Sequence, residues 1–328
     1  MGSDRAPALL FRAVVQAAEK MKSDHILCVI ASSPVIDELR PLSKPQVSIQ
    51  FVAAEDSIVM SDDPLTALRQ KKNSSLVIGM RMLKKHQIDA FVSCGNTGAL
   101  VASAALLLPR LPGVTRPGLL AMLPTEKGSI FVLDAGGNVS CKAQHLVQFA
   151  YLGAAFQRAM KEGVIPAVGL LNVGAESKKG TKEVRQAYDL LLSHARELTG
   201  GGMAPYMNFV GNVEGQDVFQ GAVDVLITDG FAGNVFIKTA EGIASLLFKS
   251  LKTILDPHLS KTCKQALSEL ERQFSDAEYP GAIVCGVEGI VIKVHGNVSE
   301  KALFNSILGA SNYIKKGIIA NIKTQLQV

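Results

Sequence analysis

Phe91–Ser103 reads Phe-Val-Ser-Cys-Gly-Asn-Thr-Gly-Ala-Leu-Val-Ala-Ser. A short apolar run enters a turn made of two glycines, an asparagine and a threonine. An Ala/Leu/Val-rich stretch of helical character follows at once. Strand, glycine turn and helix in immediate succession form the unit from which parallel α/β sheets are built. Glycine permits close backbone approach and positive φ. A helix that starts there offers unpaired N–H groups at the positive end of its dipole. Such a turn either reverses the chain or receives an anion.

The pattern recurs along the chain. Strand-like runs at Ile26–Ala31, Val47–Val52, Ala90–Ser93, Leu119–Leu123, Ile130–Asp134, Ala167–Asn172, Met207–Val210, Val225–Asp229 and Ile290–Val294 are short, apolar and bounded by Gly, Pro, Asn or Asp. Helical patterns lie between them at Pro7–Met21, Ser75–Lys85, Thr97–Leu108, Ala143–Met160, Lys182–Ala195, Val235–Leu255 and Glu300–Ile322. This alternation predicts an α/β fold with a mainly parallel sheet, read here as one domain over residues 1–328. Gly200–Gly202 reads as a loop, and the charged stretch Asp256–Glu278 as a helical excursion.

Composition agrees. The 328 residues are 48% hydrophobic, with 5% aromatic residues and no Trp, so the core rests on Leu, Val, Ile and Ala. A net charge of +5 without an Arg-rich arm excludes a nucleic-acid footprint and suits an anionic substrate or membrane surface. Five widely spaced cysteines without a CxxC exclude a disulfide framework and fit a reducing cytoplasm. No segment has the length and apolarity of a membrane span. Walker A, GxGxxG, GxSxG and HExxH are all absent, so a nucleotide, a serine-hydrolase triad and a zinc protease site are not indicated.

Several strand-like runs end in Gly/Asn loops: Asp134 to Asn138, Asn172 to Glu176, Gly211 to Gly215, Asp229 to Asn234, and His295 to Asn297. In a parallel sheet such loops emerge at the carboxyl ends, where ligands bind. Each Gly-Asn pair alone marks a turn. Together, in phase with the strands, they predict a binding cleft. Gly95, Asn96, Thr97 and Gly98 are the candidate phosphate loop, with Lys293, Lys238 or Lys179 as the added charge. Asn138, Asn212 and Asn234 are candidate donors to a bound ligand, and His295 a candidate acid. Asp134, Glu176, Glu214 and Asp229 read as orienting carboxylates, with Gly136, Asn172, Gly174, Gly230 and Gly233 shaping the loops. A metal held by the acidic loops is the competing reading. Cys94 and Cys141 lack an evident activating partner for a nucleophile's role.

Eight blocks carry a further signal. They are MGSDRAP, DAFVSCGNTGAL, RPGLLAMLPT, VLDAGGNVSCKAQHLVQFA, GLLNVGAESKKG, FVGNVEGQDVF, VDVLITDGFAGNVFIKTAEG and GIVIKVHGN. In order, from Met1 to the last helix, they resemble the PlsX family of bacterial phosphate acyltransferases. The resemblance implies a three-layer α/β/α homodimer, similar to isocitrate/isopropylmalate dehydrogenases and phosphotransacetylase, that needs no cofactor. It implies transfer of a long-chain acyl group from acyl carrier protein to inorganic phosphate. A membrane acyltransferase then passes the acyl phosphate to glycerol 3-phosphate in phospholipid synthesis. A cytoplasmic enzyme, peripheral at the inner face of the cell membrane, is expected. Val235–Leu255 is a candidate for membrane contact, or else a core or dimer helix. Arg12 and Lys20, or Lys178, Lys179, Lys182 and Arg185, are candidates for meeting the acidic carrier.

The chain departs from the family pattern in places. The family opens with a strand ending Asp-Ala-Met-Gly-Gly-Asp-His. Here Ser3 stands for a Gly and Arg5 for the His, and the strand either precedes Met1 or is absent. Gln216 stands for an Arg, which removes a bidentate phosphate ligand from that loop. The rival readings are a short-chain phosphotransacetylase acting on acyl-CoA, and a non-catalytic regulator that binds acyl carrier protein.

Overall fold

The computed structural model describes residues 2–21, 25–200, 206–255, 260–273 and 281–326. Met1, Gly201, Gly202, His258 and parts of the Asp256–Glu278 stretch lie outside the described residues. Contacts group the chain into two compact units. The first is Met1–Pro117 with Tyr279–Lys323, and the second is Gly118–Glu278 with Thr324–Val328.

In chain order the first unit contributes α1 (Pro7–Met21), β1 (Leu27–Ala31), α2 (Ser33–Leu39), β2 (Ile49–Ala53), α3 (Pro64–Gln70), α4 (Ser75–Lys84), β3 (Ala90–Ser93) and α5 (Thr97–Leu107). The second contributes β4 (Gly118–Thr125), β5 (Gly128–Leu133), α6 (Ala143–Met160), β6 (Ala167–Leu171), α7 (Lys182–Gly200), β7 (Asn208–Val213), α8 (Gly215–Phe219), β8 (Val225–Ile227), α9 (Gly230–Leu255) and α10 (Lys261–Gln273). The chain then returns to the first unit with β9 (Ala282–Cys285), β10 (Ile290–Lys293) and α11 (Glu300–Lys315), and ends in α12 (Ile318–Leu326).

In the first unit β1 pairs parallel with β2, and β3 parallel with β10. β9 runs antiparallel to β10. α1 buries Phe11 and Val15 against Leu39. In the second unit β5, β8, β6 and β7 are parallel neighbours in that order, and β4 folds back antiparallel on β5. Ile130–Leu133 and Val225–Ile227 are wholly buried, as expected of parallel strands covered on both sides. Within each unit, therefore, the loops that follow parallel strands leave at one end. In the first unit these follow β3 and β10; in the second they follow β5, β6, β7 and β8.

Several boundaries differ from the sequence reading, each for a local reason. α9 begins at Gly230 rather than Val235, because two glycines that normally oppose a helix are required there by close contacts described below. The expected helix over 300–322 divides at Gly317, whose φ of +58 ends α11. β7 extends to Val213, so Asn212 lies in a strand rather than a loop. Gly211, at φ +93, accommodates the register shift against β6. The short helices α2, α3 and α8 and the strand β9 add to the predicted set.

Candidate active site

In the first unit the register sets Ser93 beside Lys293 at the ends of β3 and β10. The Val294 N–H donates to Ser93 O at 2.9 Å, and the Gly95 N–H to Ser93 Oγ at 3.2 Å. Asn96 is the N-cap of α5. Its Oδ1 accepts from Ala99 N at 3.0 Å. Its Nδ2 donates to Met60 O and Asp62 O, both at 3.1 Å, and to Val59 O at 3.4 Å. Asn96 is thus a buried staple between the 59–62 loop and the helix start, and its side chain is fully engaged. Thr97 and Gly98 open the helix, half-buried and exposed, with the first-turn N–H groups directed out of it.

Lys293 is 8% exposed, and its Nζ donates to Val294 O. It lies close enough to Cys94 for its charge to favour the thiolate. Burial outweighs that effect and pushes the Cys94 thiol up to about 11. A thiol so raised is a poor nucleophile at neutral pH. His295, just past β10, is exposed. The next residue, Gly296, accepts from Ser3 Oγ at 2.8 Å and Asp4 N at 3.1 Å. Gly2, at φ +74, packs so tightly that a Cβ there would stand 2.5 Å from Ile58 O and 3.6 Å from Gly95 Cα. The segment Gly2–Asp4 and the loop Ile58–Asp62 thus line the turn after β3. Sequence reasoning gave neither a role, because contacts this distant along the chain leave no local pattern.

In the second unit Asp134 follows β5 and is fully buried. Its Oδ1 accepts from Leu119 N at 2.9 Å, Gly137 N at 2.8 Å and Gly136 N at 3.2 Å; its Oδ2 accepts from Asn138 Nδ2 at 2.6 Å. Burial pushes the carboxyl up, against the pull of these donors. The start of α9 rests on this loop. Gly230 N donates to Asn138 O at 2.7 Å. A Cβ on Gly230 would lie 2.6 Å from Asn138 O, and one on Gly233 only 2.0 Å from Asp134 O. Asp229 Oδ1 accepts from Ala232 N at 2.8 Å, and the exposed Asn234 stands against Gly136. Asp134, Gly136, Asn138, Asp229, Gly230, Gly233 and Asn234 therefore come together.

A neighbouring group forms at the ends of β6 and β7. Asn172 Nδ2 donates to Lys179 O at 3.1 Å, and Asn212 Nδ2 to Glu176 O at 2.9 Å, so both amides hold the 173–179 loop. Asn212 Oδ1 is buried without a partner. Glu176 and Lys179 fold over Gly174. Glu214 is the N-cap of α8 but makes no side-chain cap bond, and Gln216 lies within that short helix. Lys238 pairs with Glu241 at 2.5 Å, one turn along α9. Among the described residues, no three His, Cys, Asp or Glu side chains gather as metal ligands.

The fold is similar to that of phosphotransacetylases and of a dehydrogenase. EutD phosphotransacetylase from Staphylococcus aureus matches with a TM-score of 0.60 at 16% identity, covering 93% of this chain and 92% of that one. A phosphotransacetylase from Streptococcus pyogenes gives 0.54 at 12% identity, covering 93% and 98%. A 4-hydroxythreonine-4-phosphate dehydrogenase from Klebsiella pneumoniae gives 0.54 at 11%, covering 93% and 94%. The model of a family described as fatty acid synthesis protein matches residues 1–321. Curated relatives are phosphate acyltransferases. That of Thermoanaerobacter pseudethanolicus is 37% identical over 100% of this chain and 96% of its own length. That of Chlamydia pneumoniae is 36% identical over 99% and 97%, and that of Clostridium acetobutylicum 37% over 100% and 97%. The chain belongs to this fatty acid synthesis protein family, the PlsX family of the sequence resemblance, and is an enzyme of the acyltransferase class. Among the described residues, no helix is long and apolar enough to cross a membrane.

Proposed function

We propose that the chain transfers a long-chain acyl group from acyl carrier protein to inorganic phosphate, yielding acyl phosphate for glycerol 3-phosphate acylation. The observation that carries the reading is the α5 start. There a capped helix opens at Thr97 and Gly98, just past β3, whose last residue pairs with the buried Lys293. Hydrogen phosphate held there attacks the thioester carbonyl. The new C–O bond forms and the C–S bond breaks through a tetrahedral oxyanion. The proton of hydrogen phosphate ends on the departing thiol, relayed by His295. Phosphate needs no strong base for this attack, which suits a site without a Ser/His/Asp triad. Asp134, Asn138, Asn172 and Asn212 act by holding loops.

We further infer a homodimer working against the inner membrane face. The outer half of α9 supports this, because Ile243, Leu246, Leu247 and Ile254 are exposed there. Incubation of the purified chain with palmitoyl-acyl carrier protein and phosphate tests the activity, with acyl phosphate trapped as its hydroxamate. Product from the carrier substrate and not from acetyl-CoA is expected. Product from acetyl-CoA alone would support a short-chain phosphotransacetylase. Carrier binding without product would support the regulator.

A further inference from the structure

Between Pro64 and Ile88 the chain carries six Lys or Arg and no Asp or Glu, while its net charge over all 328 residues is +5. The rest of the chain therefore sums to −1. This segment is the α3–α4 pair. Two longer helices interleave signs: α7 carries Lys182, Glu183, Arg185 and Asp189, and α1 carries Arg12, Glu19 and Lys20.

The buried side of α4 is Leu76, Val77, Met80 and Leu83. Its outer side ends in exposed Arg81, Lys84 and Lys85, with Ile78 and Met82 half-buried between them and the helix start. Arg69 and Lys72, both exposed, flank the other end. Ten residues of α-helix separate the two basic groups by about 15 Å. None of Lys72, Arg81, Lys84 and Lys85 has an ion-pair partner among the described residues. The helix dipole favours Arg81 and Lys84 in the last turn. It does not account for Lys72, and the acids that flank the segment are Asp62 and Asp63 before it and the exposed Asp89 after it.

The acids just upstream are already engaged. Asp62 pairs with Lys71 at 2.5 Å, and Asp63 caps α3 through Thr66 N at 2.9 Å. Asp56 and Glu55 hold Asn73. The start of α3 adjoins the candidate phosphate loop, because Pro64 would be 2.6 Å from a Cβ on Gly98. Val59 and Leu65 are exposed at the same place.

We propose that the α3–α4 face is the docking surface for the acidic protein that carries the acyl thioester. An acidic helix of the carrier lies along α4, and its thioester arm enters at Gly95–Gly98. This inference rests on the acyl-carrier reading above. Charge complementarity carries it: an unbalanced basic strip with an apolar middle suits an amphipathic acidic helix.

The test compares the wild-type chain with an Arg81→Glu/Lys84→Glu/Lys85→Glu variant on two donors, palmitoyl-acyl carrier protein and palmitoyl-pantetheine, which lacks the protein. The expected result is a KM for the carrier substrate at least tenfold higher, with kcat and the palmitoyl-pantetheine rate unchanged. The wild-type carrier KM should also rise with ionic strength more steeply than the variant's. Glutamines at the same three positions, which guard against a misfolded charge reversal, should give a smaller shift in the same direction. Arg12→Glu/Lys20→Glu on α1 should leave the carrier KM unchanged. An unchanged carrier KM in both α4 variants overturns the docking surface while leaving the acyl-carrier reading intact. Loss of binding to phosphatidylglycerol vesicles with an unchanged carrier KM also overturns it, and assigns the face to lipid. A wild-type chain that turns over palmitoyl-pantetheine but not the carrier substrate overturns the acyl-carrier reading and the docking surface together.

Discussion

The loop after β3 and the loop after β5 look alike in sequence, each a Gly/Asn turn leaving a parallel strand. They are built in opposite ways. In Asp134–Asn138 the chain supplies its own anion: the amides of Gly136 and Gly137 and the Asn138 side chain all point inward to the Asp134 carboxylate. In Gly95–Gly98 the fixing is done by one neutral amide, Asn96, which grips carbonyls of the 59–62 loop and caps α5. That leaves the Thr97 and Gly98 amides for an outside ligand. A glycine-rich turn is an anion site only when no internal carboxylate has taken its donors. By this criterion we propose that the first loop binds and the second braces.

Substitutions can break that contrast. The largest effect is expected from Gly233→Ala. Its Cβ would meet the Asp134 backbone oxygen, which cannot swing aside. A loss of more than about 3 kcal/mol is expected in urea unfolding. A near-neutral result would show that the α9 start yields.

Next in size is Lys293→Met, which removes the buried charge near the binding loop. The KM for phosphate should rise about ten- to a hundredfold, the range of a lost charged hydrogen bond. Stability should fall far less than in Gly233→Ala.

Gly95→Ala sharpens the comparison, because its Cβ would meet only Ser93 Oγ, at 3.4 Å. Unfolding should change by less than about 1 kcal/mol. The KM for phosphate should nevertheless rise about tenfold, because the ligand loses close approach to the backbone. A change in stability without a change in KM would make Gly95 a structural residue like Gly233.

The smallest effect on activity belongs to Cys94→Ser, which should leave kcat unchanged. Its signature is in stability at alkaline pH. The folded thiol is raised from 9.0 to about 11, so the unfolded chain loses its proton first. The wild type should therefore lose about 2 kcal/mol relative to the serine variant as pH rises from 9 to 11, with the loss levelling off above that. Equal pH profiles would show that the thiol is not buried as described.

Much of the fold was legible because buried parallel strands write themselves as short apolar runs. Ala90–Ser93 was read at its observed bounds, and so were the helices Pro7–Met21 and Ala143–Met160. What stayed hidden depended on contacts rather than on pattern. Gly230 and Gly233 argue locally against a helix, yet they open α9 because only glycine fits against Asn138 and Asp134. α3 is seven residues long and begins at a proline among acidic turn residues, too short for periodicity to show. The candidate residues themselves could be named from the sequence, but not the direction of their side chains. Asn96, Asn172 and Asn212 read equally well as ligand donors and as loop staples, and their bonds to the Met60, Lys179 and Glu176 carbonyls leave no local pattern. Ser3 and Asp4 reach Gly296 across almost the whole chain, beyond any local reading.

The most direct test is a phosphate titration followed at the backbone amides by nitrogen-15 NMR. The Thr97 and Gly98 signals should shift progressively and saturate, while Gly136 and Gly137 stay in place. Movement of Gly136 and Gly137 with Thr97 and Gly98 unmoved would contradict the assignment of phosphate to the α5 start.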